Sequence, residues 1–127
     1  KIINEIDSSI FFFGDRNMIS SVLQNLISNA IKFTKRNGKI IVSSKIEGDK
    51  IIVSVKDNGV GISEENINKL FKLDNHLSTN GTANESGTGL GLILCKELVE
   101  KNNGEIWVES QELIGTTFSF SLEKTEV

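Results

Sequence analysis

Apolar residues recur at two different periods along this chain, and the change of period marks its elements. Between residues 16 and 34 they fall at Ile19, Val22, Leu23, Leu26, Ile27, Ala30 and Phe33, in steps of mostly three and four. That stripe predicts one long amphipathic helix. Asp15 stands before it in the N-cap position, and Asn37-Gly38 marks a turn after it. A second stripe, Leu90, Ile93, Leu94, Leu98 and Val99, predicts a helix over about residues 89–102, stopped by Asn103-Gly104. Residues 39–46 and 50–55 are rich in Ile and Val and flank Glu47-Gly48-Asp49, which predicts a β-hairpin. Residues 105–110 and 116–122 alternate as a further strand pair, and residues 1–13 hold one or two strands ending at Gly14. Ser63 opens a short helix with Ile67, Leu70 and Phe71; Asn66 stands where a capping box would place Glu. Residues 72–86 are polar and without period, and a loop of that kind inside a compact domain usually serves function. The order predicts an α+β fold, one mostly antiparallel sheet with its helices on one face.

Composition narrows the class. A chain of 127 residues is one domain with room for a real core. The net charge of -3 disfavours nucleic acid and anionic membrane as partners, since both select basic surfaces. The lone Cys95 has no internal disulfide partner, which fits a reducing, cytoplasmic setting. The apolar run at residues 10–13 is too short to span a bilayer. The chain opens on Lys1 and not Met, so we expect a piece of a longer protein, whose other parts decide any membrane attachment.

The chemistry concentrates in three places. Asp57-Asn58-Gly59-Val60-Gly61-Ile62 ends the second hairpin strand in a glycine loop. Glycine allows a backbone to approach a bulky ligand and to take φ > 0. Asp57 there is positioned to accept a hydrogen bond from an exocyclic amine, with Ile62 packing against the ring. Gly87-Thr88-Gly89-Leu90-Gly91-Leu92 runs into the second long helix, whose start offers free N–H groups to phosphate. It is not a P-loop, because no Lys follows the last glycine, and it lacks the leading strand of a dinucleotide motif. On an ideal wheel, Asn25, Asn29 and Lys32 line one margin of the first helix, and Phe33 closes the stripe nearest Asn29. Carboxamide oxygens suit Mg²⁺, which takes its remaining ligands from water and substrate phosphate. Lys32 balances phosphate charge and Phe33 lies against a flat base. Together these features predict a divided nucleotide site. His76, alone in a polar loop, is assigned no catalytic role, and Cys95 reads as a small packed residue.

With these residues in place, the whole chain resembles the catalytic and ATP-binding domain of two-component sensor histidine kinases. They form a branch of the ATPase superfamily that includes gyrase, MutL and heat-shock chaperone ATPases. Residues 15–34, with Asn25-Leu26-Ile27-Ser28-Asn29-Ala30-Ile31-Lys32-Phe33-Thr34, are similar to the family's asparagine box. Residues 57–62 and 87–92 resemble its two glycine boxes, residues 103–110 continue the usual order, and Gly115-Thr116-Thr117-Phe118 resembles the closing strand.

The resemblance implies a two-layer α/β sandwich of the Bergerat type with a flexible ATP lid at about residues 72–86. It implies Mg²⁺ at Asn25 and Asn29, phosphate contact by Lys32, a ring contact by Phe33 and adenine recognition by Asp57. Thr116 would support Asp57, and Gly59, Gly61, Ile62, Gly87, Thr88, Gly89, Leu90 and Gly91 would complete the ATP site. The γ-phosphoryl group would pass to a histidine on a separate helical dimerisation domain, which these residues do not contain, and from there to a response regulator. His76 does not match the acceptor motif. The family's second aromatic after Phe71 is missing, and Leu73 stands in as the lid's apolar clip. Hydrolytic relatives carry a Glu base four residues before the metal-binding Asn. Here that residue is Asn25, which takes no proton from water, so slow hydrolysis is expected. Two other functions share these features: a degenerate interaction module, and a serine kinase of the anti-sigma-factor type.

Overall fold

The structure, a computed structural model, describes residues 2–6, 12–34, 37–67 and 90–124. In chain order the elements are β1 (Ile2–Glu5), β2 (Phe12–Phe13), α1 (Arg16–Phe33), β3 (Ile40–Glu47), β4 (Lys50–Asp57), α2 (Glu64–Ile67), α3 (Leu90–Lys101), β5 (Ile106–Gln111) and β6 (Gly115–Lys124).

Strand order across the sheet is β1-β3-β4-β6-β2, with β5 also paired to β6. Only β1 against β3 is parallel among the described pairs; the others are antiparallel. The β3–β4 hairpin closes on the pair Glu47 and Lys50 and ends with Ile40 opposite Asp57. β4 and β6 then run the length of the sheet together, from Lys50 opposite Glu123 to Asp57 opposite Thr116.

Alternation along the strands separates two faces. Ile51, Val53 and Val55 of β4 lie opposite Leu122, Phe120 and Phe118 of β6, and all six belong to the buried core. The reverse face of the same strands carries Ser54 and Ser119, whose hydroxyls lie 2.9 Å apart, and the exposed Lys56. Onto the apolar face α1 brings Ile19, Val22, Leu26 and Ala30, and α3 brings Leu92, Cys95 and Val99. The result is the mostly antiparallel sheet with helices on one face that the element order predicts, and the two-layer sandwich that the resemblance implies.

The helix ends form where the side chains predict them. Asp15 caps α1 by accepting the Met18 N–H at 3.0 Å. Ser63 caps α2, its hydroxyl accepting the Asn66 N–H at 3.2 Å. After α3, Asn103 at φ 63 reverses the chain while the Gly104 N–H returns 3.0 Å to the Val99 carbonyl.

Candidate functional site

β4 delivers Asp57 into the first glycine loop at the end of the sheet's helix-covered face. Its residue surface is 4 % exposed, and its Oδ1 accepts the Gly59 N–H at 2.8 Å. Burial raises the carboxyl above its ordinary 3.8, while N–H donors of Gly59 and Thr116 pull it back in part. An ionised carboxylate offers about four acceptor positions. Two backbone donors leave room for a further N–H from a ligand.

The loop beyond Asp57 is stitched to its surroundings. The Val60 N–H donates 3.1 Å to the Phe33 carbonyl at the end of α1, and any side chain on Gly59 would overlap that carbonyl. Gly61 sits at φ 75, against the Gln111 carbonyl, where a Cβ has neither space nor a favourable backbone. The buried Ile62 joins the core and donates its N–H to Ser110 Oγ at 2.7 Å. Asn58 links the loop to the chain entering β3, accepting the Lys39 N–H at 2.7 Å.

Thr116 sits opposite Asp57 on β6, buried, with its hydroxyl 2.7 Å from Ser110 Oγ. Ser110 also lies 3.0 Å from the Gly115 carbonyl. Ser110 and Asn58 therefore hold the loop's shape, a role the sequence reading did not assign them. Register was the available signal for Ser110: it pairs with Thr116 across β5 and β6, as Thr116 pairs with Asp57.

The helical wall is α1. Asn25, Asn29, Lys32 and Phe33 are all half-buried there. Asn25 Nδ2 donates 3.0 Å to the Ser21 carbonyl one turn back, which fixes the carboxamide and orients its oxygen. A Cβ on Gly91 would stand 3.3 Å from that oxygen. So Asn25 Oδ1 faces the first turn of α3, and the asparagine margin meets the start of the helix that follows the second glycine cluster. Phe33 ends α1 beside the first glycine loop, its carbonyl taking the Val60 N–H. Leu90 opens α3. Gly87, Thr88 and Gly89, the predicted lid at 72–86, Leu70, Phe71, Leu73 and His76 lie outside the described residues.

No group of three or more His, Cys, Asp or Glu among the described residues is arranged for a metal. A divalent ion at this wall would rest on carboxamide oxygens, water and ligand phosphate. The fixed Asn25 oxygen fits Mg²⁺, a hard ion that keeps waters and shares a substrate's phosphates.

Comparison with known proteins agrees with this geometry. Residues 14–126 match the family described as histidine kinase-, DNA gyrase B- and HSP90-like ATPases, and the chain belongs to that family. Within it the similarity is to the catalytic, ATP-binding domain of sensor histidine kinases. Sensor histidine kinase WalK of Bacillus subtilis is 36% identical over 122 residues, covering 94% of this chain and 20% of WalK. The circadian input-output histidine kinase CikA of Synechococcus elongatus is 41% identical over 108 residues, 85% of this chain and 14% of CikA. The chain thus spans a fifth or less of these relatives. The catalytic domain of histidine kinase ThkA superimposes with a TM-score of 0.81 at 37% identity, covering 98% of this chain and 79% of that one. No helix among the described residues is long and apolar enough to cross a membrane.

Proposed function

We propose that this domain binds Mg-ATP and donates the γ-phosphoryl group to a histidine on a helical dimerisation domain of the same protein, which passes it on to a response regulator. The observation that carries this reading is the buried Asp57 carboxylate, held by two backbone donors and with acceptor capacity left for a ligand. Asp57 accepts the exocyclic amine of adenine. A base without that amine leaves the carboxylate unpaired, which makes the contact selective. Phe33 contacts the ring, Ile62 and Leu90 pack beside it, and Thr116 keeps Asp57 in place.

Asn25 and Asn29 hold Mg²⁺, which supplies charge neutralisation between the phosphates when bound. Lys32 and the N–H groups of Gly87, Thr88, Gly89 and Gly91 take the remaining phosphate charge, under a lid at about residues 72–86. In the transfer, an imidazole nitrogen of the acceptor forms a P–N bond as the bond from the γ-phosphorus to the bridging oxygen breaks and ADP leaves. Such a reaction asks mainly for alignment and charge stabilisation. Asn25 is no base, so hydrolysis of the bound ATP is expected to be slow. The domain works on the cytoplasmic side, where ATP is available.

Calorimetry with Mg-ADP tests this. The wild-type chain is expected to bind, and Asn29→Ala to lose at least about tenfold in Mg²⁺-dependent affinity, about 1.4 kcal/mol. Wild-type affinity in that variant would refute the metal assignment. Mixed with its helical partner domain and ATP, the chain should yield an acid-labile phosphohistidine. An acid-stable phosphoserine would point to the anti-sigma-factor type of kinase, and no label despite normal binding to a docking module.

A further inference from the structure

α1 and α3 lie antiparallel, and contacts at three levels define their seam. At one end Asn102, just after α3, meets Asp15 and Met18. Midway, Cys95 Sγ lies 3.8 Å from the Val22 carbonyl. At the far end Gly91 faces Asn25 Oδ1. Numbers fall along α3 as they rise along α1, so what is set at the Asn102 end governs what meets at the Asn25 end.

The Asn102 contacts are directional. The residue is 7 % exposed. Its Oδ1 accepts the Asp15 N–H at 2.6 Å, and its Nδ2 donates to the Leu98 carbonyl at 2.7 Å. Asp15 is itself the N-cap of α1, and Leu98 lies in the last turn of α3. Asn102 is held in turn by its own N–H, 3.0 Å from the Val99 carbonyl. One amide therefore binds the start of α1 with its oxygen and the end of α3 with its nitrogen. Turning the amide over would set donor against donor and acceptor against acceptor. Apolar packing alone tolerates sliding between helices; this pair of bonds does not. A slip of one residue moves a helix by about 1.5 Å and turns its face by about 100°.

We infer that Asn102 is a positioning residue for the metal and phosphate half of the site. It acts through α1, from about 15 Å away at 1.5 Å per residue, by fixing the register at which Asn25 meets Gly91. The inference rests on the nucleotide reading above. The adenine half rests mainly on the β4 and β6 ends, with α1 contributing Phe33 and its carbonyl at its last residue, so the Mg²⁺ gain should fall much further than adenosine affinity when Asn102 is changed.

Asn102→Leu keeps the branching at Cγ and removes every hydrogen bond of the amide, and Asn102→Ser is the smaller, milder variant should the first fail to fold. ADP binding is measured with Mg²⁺ and with EDTA, and adenosine binding by NMR titration, all well below each variant's melting midpoint. The gain in ADP affinity on adding Mg²⁺ is expected to fall about tenfold, while adenosine affinity stays within about twofold. A variant that melts lower but keeps the wild-type Mg²⁺ gain overturns the inference and leaves Asn102 a structural staple. An equal loss of adenosine affinity and Mg²⁺ gain overturns it as well. If the wild-type chain binds neither ligand, the nucleotide reading falls first and takes the inference with it.

Discussion

Burying the carboxyl of Asp57 raises its pKa above 3.8, and the N–H groups of Gly59 and Thr116 recover only part of the cost. The sign of the consequence follows from linkage. A carboxyl whose folded pKa lies above its unfolded one favours the folded state when protonated. That advantage is present below pH 3.8 and is lost as pH rises through the folded value. At neutral pH the ionised Asp57 is therefore a burden on the ligand-free domain. Asp57→Asn should raise the melting midpoint at pH 7, show a shrinking advantage as pH falls toward 4, and abolish binding of adenine nucleotides. Thermal melts at both pH values check the first two effects and calorimetry the third. Asp57 was visible in the sequence because an acid before a glycine loop is a recognisable pattern. Ser110 and Asn58 were not, because their work consists of contacts with residues distant in the chain.

Elements show the same division. α1 forms where the steps of three and four and the Asp15 cap predict it, since a helix is built from neighbours in the chain. The strand pair at 105–110 and 116–122 implied a turn between β5 and β6, but nothing local announced its conformation. There Leu113 occupies φ 68, in the left-handed region where a Cβ costs about 1–2 kcal/mol, and its side chain is 80 % exposed. Its N–H donates 2.7 Å to the Val60 carbonyl, so the turn is held against the first glycine loop despite the residue that occupies it. Leu113→Gly should stabilise the domain by up to about 1 kcal/mol, since the relief of about 1–2 kcal/mol of left-handed strain exceeds the roughly 0.4–1 kcal/mol that glycine adds to the unfolded chain's entropy. An increased urea midpoint with unchanged slope would agree; a decrease would mean that the entropy glycine adds to the unfolded chain outweighs the strain relieved.

At the scale of the whole molecule, β4 and β6 carry the core. Phe120 is 0 % exposed, opposite Val53 on one side and Ile106 on the other. Phe120→Ala should cost about 3–5 kcal/mol, a large part of the ~5–15 kcal/mol that holds a domain together. Urea denaturation followed by far-ultraviolet circular dichroism measures it, and a loss under about 1 kcal/mol would mean the cavity collapses at little expense. The hydrophobic periods, the Asp15 and Ser63 caps and the hairpin turn determined by themselves which segments become helix or strand and which face of each is apolar. They are local or periodic properties, and the backbone responds to them within a turn or a strand pair. The spacing of Asn25, Asn29 and Lys32 likewise placed a polar margin on α1 before any tertiary structure was known. Only the folded chain decided that this margin meets Gly91, that Ser110 backs Thr116, and that Asn102 ties the two helices together. Those contacts join residues far apart in sequence, and their geometry depends on how sheet and helices pack, which no local pattern encodes.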